Sequence, residues 1–305
     1  MQIPRFPFVL CDVLAEDVDE LTAELFELGA EGVEERDHTT LVRGRREGFS
    51  TLSASFTERE AADAACTQIA EDPRAGAPEV VEVVGDDWRD AWKEHFRPFV
   101  VATRPRDGVA VAVRPPWVPL EEARGVLPGD LPGEKVRWLE LEPGRAFGTG
   151  LHETTQLVSE ALGGLELEGQ AVLDVGTGSG ILALIALAFG AASVRGTDND
   201  PDAVAVSNEN AERNALTDIA TFSTDDVSTE TPGAWRFVLA NIETHILVPM
   251  AAALAATVAP GGQLLLSGIL ATQEPQIRAA YEPLSLRHVR TTQRGEWVLV
   301  HFERA

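Results

Sequence analysis

Hydrophobic and polar positions set two different rhythms along the chain. Over residues 4–84 short alternating stretches are separated by helical ones. PRFPFVLCDV reads as a strand, and EDVDELTAELFELGA places Leu21, Leu25 and Leu28 on one helical face with Gly29 near its end. EGVEER, TTLVRGR and TLSASF are candidate strands, EREAADAACTQIAED a second helix and EVVEVV a last strand. The order β-α-β-β-α-β predicts a small α+β, ferredoxin-like module. Such modules bind or position a partner and seldom catalyse alone.

DDWRDAWKEHFRPF follows, with Trp88, Trp92 and Phe96 at four-residue spacing and Asp87 placed to cap a helix. It reads as a linker helix whose aromatic stripe serves packing. Residues 104–134 are rich in Pro, Gly and charge, which predicts loops and short strands. From residue 170 the rhythm becomes apolar strand, helix, apolar strand: AVLDV, GILALIALAFG, SVRGTD, DPDAVAVSNENAERN, ATFST, RFVLAN, ETHILVPMAAALAATV, GQLLLSG. That alternation predicts a doubly wound α/β sheet with parallel strands, and LSLRHVRTTQRGEWVLVHF adds an antiparallel hairpin that closes it. The expected domains are 1–85, a linker helix over 86–100, and 101–305.

Composition narrows the setting. The 305 residues are 44% hydrophobic with no apolar run long enough to span a bilayer, so neither a membrane protein nor a disordered chain is expected. The start of the chain does not read as a secretory signal. Cys11 and Cys66 stand far apart without companions, which argues against a disulfide framework or a zinc site, suits a reducing cytoplasm, and predicts two small buried residues. A net charge of −24 disfavours a grip on a nucleic-acid backbone and favours a basic protein partner. Lys93 and Lys135 are the only lysines among 25 basic residues, a composition that suits a salt-rich cytoplasm, and salt adaptation is the expected main cause of the acidity.

The candidate chemistry begins at DVGTGSG, Asp174 to Gly180, where a strand turns into a helix. Glycines there let a ligand approach backbone N–H groups at a helix N-terminus. A dinucleotide fingerprint needs G-x-G-x-x-G, but Ile181 stands where the third glycine belongs, and no lysine follows as in a Walker loop. Asp174 at the mouth of the loop would repel a pyrophosphate. S-adenosylmethionine, cationic and free of phosphate, reverses that sign. Asp198 ends the next strand, where a carboxylate accepts hydrogen bonds from both ribose hydroxyls, while Asp200 before Pro201 reads as a helix cap. Asp225 and Asp226 reach the adenine amino group or form a solvated loop. No metal is expected.

A second constellation, LEPGRAFGTGLHETTQL over residues 141–157, stands just upstream and is placed to fold over the same mouth. Taken singly, Thr154 or Thr155 is a helix cap and His152 a satisfied loop histidine. Taken with DVGTGSGILAL, ANIETHIL, LSGILATQ and the Glu296-Trp297 hairpin, the segment resembles the bacterial methyltransferases of ribosomal protein L11, the PrmA type. The resemblance covers essentially the whole chain. It implies a Rossmann-like, S-adenosylmethionine-dependent methyltransferase domain that methylates lysine and N-terminal amines of L11, with the N-terminal module recognising the substrate. It also implies that Thr155, Gly176, Asp198 and Asn241 bind the cofactor, and that Phe147, Gly148, Thr149 and Gly150 line the site beside Gly178 and Asp174. Thr177 stands where the family often has cysteine, and Glu243 where an apolar residue is usual.

Methyl transfer to an amine is an in-line displacement, so the protein's task is alignment and exclusion of water. Asn241, at the end of a strand, is the candidate catalytic residue: its amide oxygen orients the neutral amine but cannot take its proton. The alternatives are a methyltransferase for another protein or a small-molecule amine, a nicotinamide-dependent oxidoreductase, and a binding protein with a vestigial catalytic domain. A cytoplasmic monomer is expected.

Overall fold

The computed structural model describes residues 5–14, 17–36, 46, 49–84, 96–127, 131–142 and 150–305, which form two compact units, 1–96 and 97–305. In the first, β1 (Arg5–Val13), α1 (Val18–Glu27), β2 (Gly32–Arg36), β3 (Ser50–Ser55), α2 (Arg59–Ile69) and β4 (Gly76–Val84) build an antiparallel sheet in the order β2-β3-β1-β4. The alternation along the strands decides which face is covered. Val9, Cys11 and Val13 of β1 share one face with Leu52 and Ala54 of β3, and that face packs on Leu21 and Leu25 of α1 and on Ala62, Ala65 and Ile69 of α2. This is the ferredoxin-like arrangement. Cys11 is buried, but Cys66 is only half-buried. The strand expected in TTLVRGR lies outside the described residues, as do residues 86–95 of the linker helix expected over 86–100; residues 96–98 are not helical and 99–100 already belong to the strand Phe99–Thr103.

The second unit opens with a three-stranded sheet: β5 (Phe99–Thr103), β6 (Ala110–Arg114) and β7 (Val136–Glu140), in that order, with α3 (Leu120–Val126) between β6 and β7. Then follow α4 (Glu153–Gly163), β8 (Ala171–Val175), α5 (Ile181–Ala188), β9 (Ser193–Thr197), α6 (Pro201–Arg213), β10 (Ala220–Ser223), β11 (Trp235–Asn241), α7 (Thr244–Thr257), β12 (Val258–Leu270), α8 (Glu274–Tyr281), β13 (Leu286–Arg294) and β14 (Trp297–Arg304). They form a seven-stranded sheet ordered β10-β9-β8-β11-β12-β14-β13, parallel except that β14 runs antiparallel to both neighbours.

Both faces of the middle of that sheet are covered, which is why β8, β11 and β12 read as apolar runs. Val172 and Leu239 point into a core shared with Leu157, Leu162, Ile181 and Leu184, whereas Leu173, Val238 and Leu264 point into one shared with Leu247, Leu254, Ile277 and Tyr281. Helix α5 is buried at every position from Ile181 to Leu187, so its even hydrophobicity matches its surroundings. Strand order reverses between β8 and β11, and a crevice opens there beyond the carboxyl ends of the strands. Among the described residues no helix is long and apolar enough to cross a membrane.

Candidate functional site

The site grows from the turn between β8 and α5. Gly176 takes φ +69°, a left-handed conformation that a side chain resists, and a Cβ there would lie 2.7 Å from the Ile242 side chain. The N–H groups of Gly176 and Thr177 both donate to the Thr197 carbonyl, at 2.8 and 3.0 Å, and fasten the loop to the end of β9. One residue on, Asp198 Oδ2 accepts the Gly178 N–H at 2.8 Å and Oδ1 accepts the Asp200 N–H at 3.1 Å. Two backbone donors therefore fix that carboxylate before any ligand arrives. Asp200 caps α6 by accepting the Asp202 N–H at 2.9 Å, with Pro201 as the first helical residue.

The far wall is the end of β11. Gly268, at φ +79°, lets β12 pass so close that a Cβ would lie 2.7 Å from the Ile242 carbonyl oxygen, and the Ile242 N–H donates to Ser267 at 3.0 Å. Asn241 is thereby held at the crevice. Its Oδ1 is buried and has no hydrogen-bond partner among the described residues. A buried acceptor left open costs about 1–3 kcal/mol, so its persistence beside a cleft marks a place for a donor from outside the chain.

Between these walls lies a cleft of about 560 Å³. Asp198, Asp225, Asp226 and Glu243 contribute its four lining carboxylates, and no lysine or arginine lines it among the described residues. Ile242, Ile246, Met250 and Trp297 supply apolar surface. Asp225 Oδ2 pairs with Arg195 at 2.7 Å and accepts the Ser223 hydroxyl at 2.8 Å; the Ser223 bond first, then Arg195, holds its carboxyl below the usual range. Asp226 Oδ1 accepts the Ser228 N–H at 2.8 Å, and hydrogen bonding from Ser228 likewise lowers its carboxyl. Both acids thus face the cleft and brace their own loop.

Helix α4 closes the opposite side. The expected threonine cap is replaced by His152, whose Nδ1 accepts the Thr154 N–H at 3.3 Å and lies 2.8 Å from the Thr154 hydroxyl. An imidazole nitrogen carrying a lone pair serves the cap as an oxygen would. The His152 ring meets Trp297 edge-on at 5.1 Å between centroids. Arg294 ties the β13–β14 hairpin to α4 through Glu160, at 2.8 Å, and through Gln156. His152, Thr154 and Trp297 all reach the cleft. Spacing alone does not single out Thr154 or Trp297 as lining residues, because only tertiary packing brings them together.

Of the residues expected at the site, the structure brings Gly176, Asp198 and Asn241 onto one cleft. Gly178 stands one step back, donating to Asp198. Asp174, expected at the mouth of the loop, lies instead behind it, 1% exposed, with Oδ2 accepting the Thr177 hydroxyl at 2.8 Å and Oδ1 in no hydrogen bond of normal geometry. Burial pushes its carboxyl up to about 6; the Thr177 hydroxyl and the Ala183 N–H pull the other way, and the charge of Asp198 adds to the rise. Thr155 is also 1% exposed, its hydroxyl unpartnered among the described residues. Gly150, expected on the lining, is buried, and a Cβ there would meet Ile181 at 2.8 Å and Phe99 at 3.0 Å. Phe147, Gly148 and Thr149 lie outside the described residues. No group of three or more His, Cys, Asp or Glu placed to hold a metal occurs among the described residues.

Four carboxylates without a lining cation disfavour a pyrophosphate and favour a cationic ligand. Comparison with known proteins agrees with that sign. Residues 6–305 match the model of the family described as ribosomal protein L11 methyltransferase (PrmA). The chain is 48% identical over 292 residues to the ribosomal protein L11 methyltransferase of Sorangium cellulosum, covering 94% of this chain and 87% of that protein. It is 40% identical over 304 residues to the one of Geobacter metallireducens, covering 95% of each. Among solved structures, the ribosomal protein L11 methylase of Lactobacillus delbrueckii subsp. bulgaricus superposes with a TM-score of 0.56 at 26% identity, over 68% of this chain and 99% of that one.

Proposed function

The chain belongs to the ribosomal protein L11 methyltransferase family, and from that premise we propose that it methylates amines of L11 in the cleft beyond β8, β9 and β11, with Asn241 aiming the acceptor. S-adenosylmethionine is the family's methyl donor, and bound here it supplies a methyl carbon activated by a neighbouring sulfonium. The residues present fit it. The acidic lining suits its positive charge, the bare backbone at Gly176 leaves room beside Ile242, and Asp198 is pre-set to accept hydrogen bonds from vicinal hydroxyls. Gly178 holds Asp198 in place. Asp174 sets a negative potential from behind the loop, and Thr155 offers an open hydroxyl at the start of α4. By family likeness Phe147, Gly148 and Thr149 complete the binding set.

The acceptor arrives as an ammonium, which has no lone pair; a lysine side chain has an ordinary pKa near 10.4 and an α-amine one near 8. Burial against Ile246, Met250 and Trp297 disfavours the charged form and promotes loss of that proton to solvent. Asn241 Oδ1 then accepts an N–H of the neutral amine and turns its lone pair toward the donor carbon. An amide cannot take the proton, so its part is orientation. The open, buried acceptor of Asn241 carries this reading. With saturating cofactor, Asn241→Ala is expected to lower kcat on L11 by about 100-fold, the usual scale for a misaligned reacting pair; a wild-type kcat would remove Asn241 from the acceptor.

Beyond the cleft, the same reading gives the ferredoxin-like unit the task of recognising L11, and has the protein act as a monomer in the cytoplasm without gripping nucleic acid. A net charge of −24 supports the monomer and the indifference to nucleic acid, since it repels phosphates and copies of itself alike.

A further inference from the structure

The four carboxylates of the cleft are not equivalent. Asp198 is held by two backbone N–H groups, Asp225 by Arg195 and Ser223, and Asp226 by Ser228. Glu243 alone among them takes no part in holding the fold. It occupies the N-cap position of α7, yet its side chain caps nothing. Its one ion pair among the described residues is with His245 at 3.1 Å, and both side chains are more than 70% exposed, at 73% and 72%. Such a pair contributes little to stability. The carboxylate nevertheless lines the cleft two residues from Asn241, and Ile246 and Met250 follow it one and two turns along the same helix face. Asn241 offers an open acceptor deeper in, Ile246 is 41% exposed, and Glu243 stands at the rim. Acid, apolar stripe and neutral acceptor follow in the order in which an alkylammonium side chain would meet them on entry.

We propose that Glu243 is a specificity-determining residue for the methyl acceptor: its carboxylate draws in the ammonium group of a lysine or α-amine on a basic polypeptide, and the chain then moves past Ile246 to lose its charge beside Asn241. The step involves no bond change at Glu243. The carboxylate acts only on the charged form of the acceptor, before transfer. This inference rests on the reading of Asn241 as the acceptor's anchor. It assigns to Glu243 a role in capture and leaves alignment to Asn241.

Kinetics of the full-length enzyme on L11 test it. At low ionic strength Glu243→Gln and Glu243→Leu are expected to raise KM for L11 about 3- to 10-fold while kcat changes less than twofold, and Glu243→Asp is expected to restore most of the loss. In molar potassium chloride, where the Debye length falls to about 3 Å, the gap between wild type and Glu243→Gln is expected to close. An unchanged KM at low salt, a gap that persists at high salt, or a cofactor affinity that falls with the same factor would each overturn the assignment. Asn241→Ala, run in parallel, separates the two readings. If its kcat falls while Glu243→Gln matches wild type, only the capture role fails. If Asn241→Ala keeps its kcat, the acceptor anchor itself fails.

Discussion

Asp174 and His301 pull the stability of residues 97–305 in opposite directions with pH. Asp174 titrates at about 6 in the folded protein because burial opposes its charge, against an ordinary value of 3.8. The folded state therefore holds that proton more tightly: its contribution is complete below pH 3.8 and is lost as pH rises through about 6. Above that, the ionised carboxylate costs about 3 kcal/mol, at roughly 1.4 kcal/mol for each tenfold gain in proton affinity on folding. His301 lies in β14, 5% exposed, and burial first, then the charge of Arg290, lowers it from 6.5 to about 4. Its contribution is complete above pH 6.5 and is lost as pH falls through about 4. The two slopes oppose each other between these limits. Asp174→Asn removes one of them, so the variant without cofactor is expected to be about 1–3 kcal/mol more stable than wild type at pH 8 in urea unfolding, and to lose that advantage toward pH 4. Equal stabilities at pH 8 would show that Asp174 is not held against its charge. The same substitution is expected to weaken cofactor binding, since the negative potential behind the loop goes with it.

At the scale of elements, legibility followed burial pattern. Strands β8, β11 and β12 stand out because neighbouring residues enter two different cores, so each reads as an apolar run between glycine and cap signals. The sheet of β5, β6 and β7 is hidden by proline, glycine and charge in the segments that join it. Helix α3 has only 7 residues and α8 only 8, too few to show a period. In the site, Asp198 and Asn241 are readable because each ends or follows a strand of an open parallel sheet, where ligands bind. Asp174 differs from its expected place by a single pleat. It pairs with Leu239 on the α5 side of β8, whereas Val175, next along, faces α7 and lines the cleft. A motif gives the residue and leaves open which side of the sheet it faces. The His152 cap escapes a sequence reading for a different reason: Ser, Thr, Asp and Asn dominate that position, and an imidazole acceptor is uncommon there.

For the molecule as a whole, charge and function meet at the same sign. A net charge of −24 with two lysines is a self-repelling surface at low ionic strength. Screening relieves it, so the melting temperature is expected to rise by on the order of 5 °C between about 0.01 and 1 M potassium chloride. A flat or falling profile would leave the acidity to substrate attraction alone. That attraction suits a basic ribosomal protein, and the cleft repeats it locally with carboxylates around an open amide acceptor. Capture and alignment both require an acceptor amine that enters charged and reacts neutral. Tandem mass spectrometry of purified L11, after incubation with this enzyme and S-adenosylmethionine, tests that most directly. Whole methyl groups are expected on lysine ε-nitrogens and on the N-terminal nitrogen; methylation confined to arginine, glutamine or carboxylate side chains, or none at all, would contradict it.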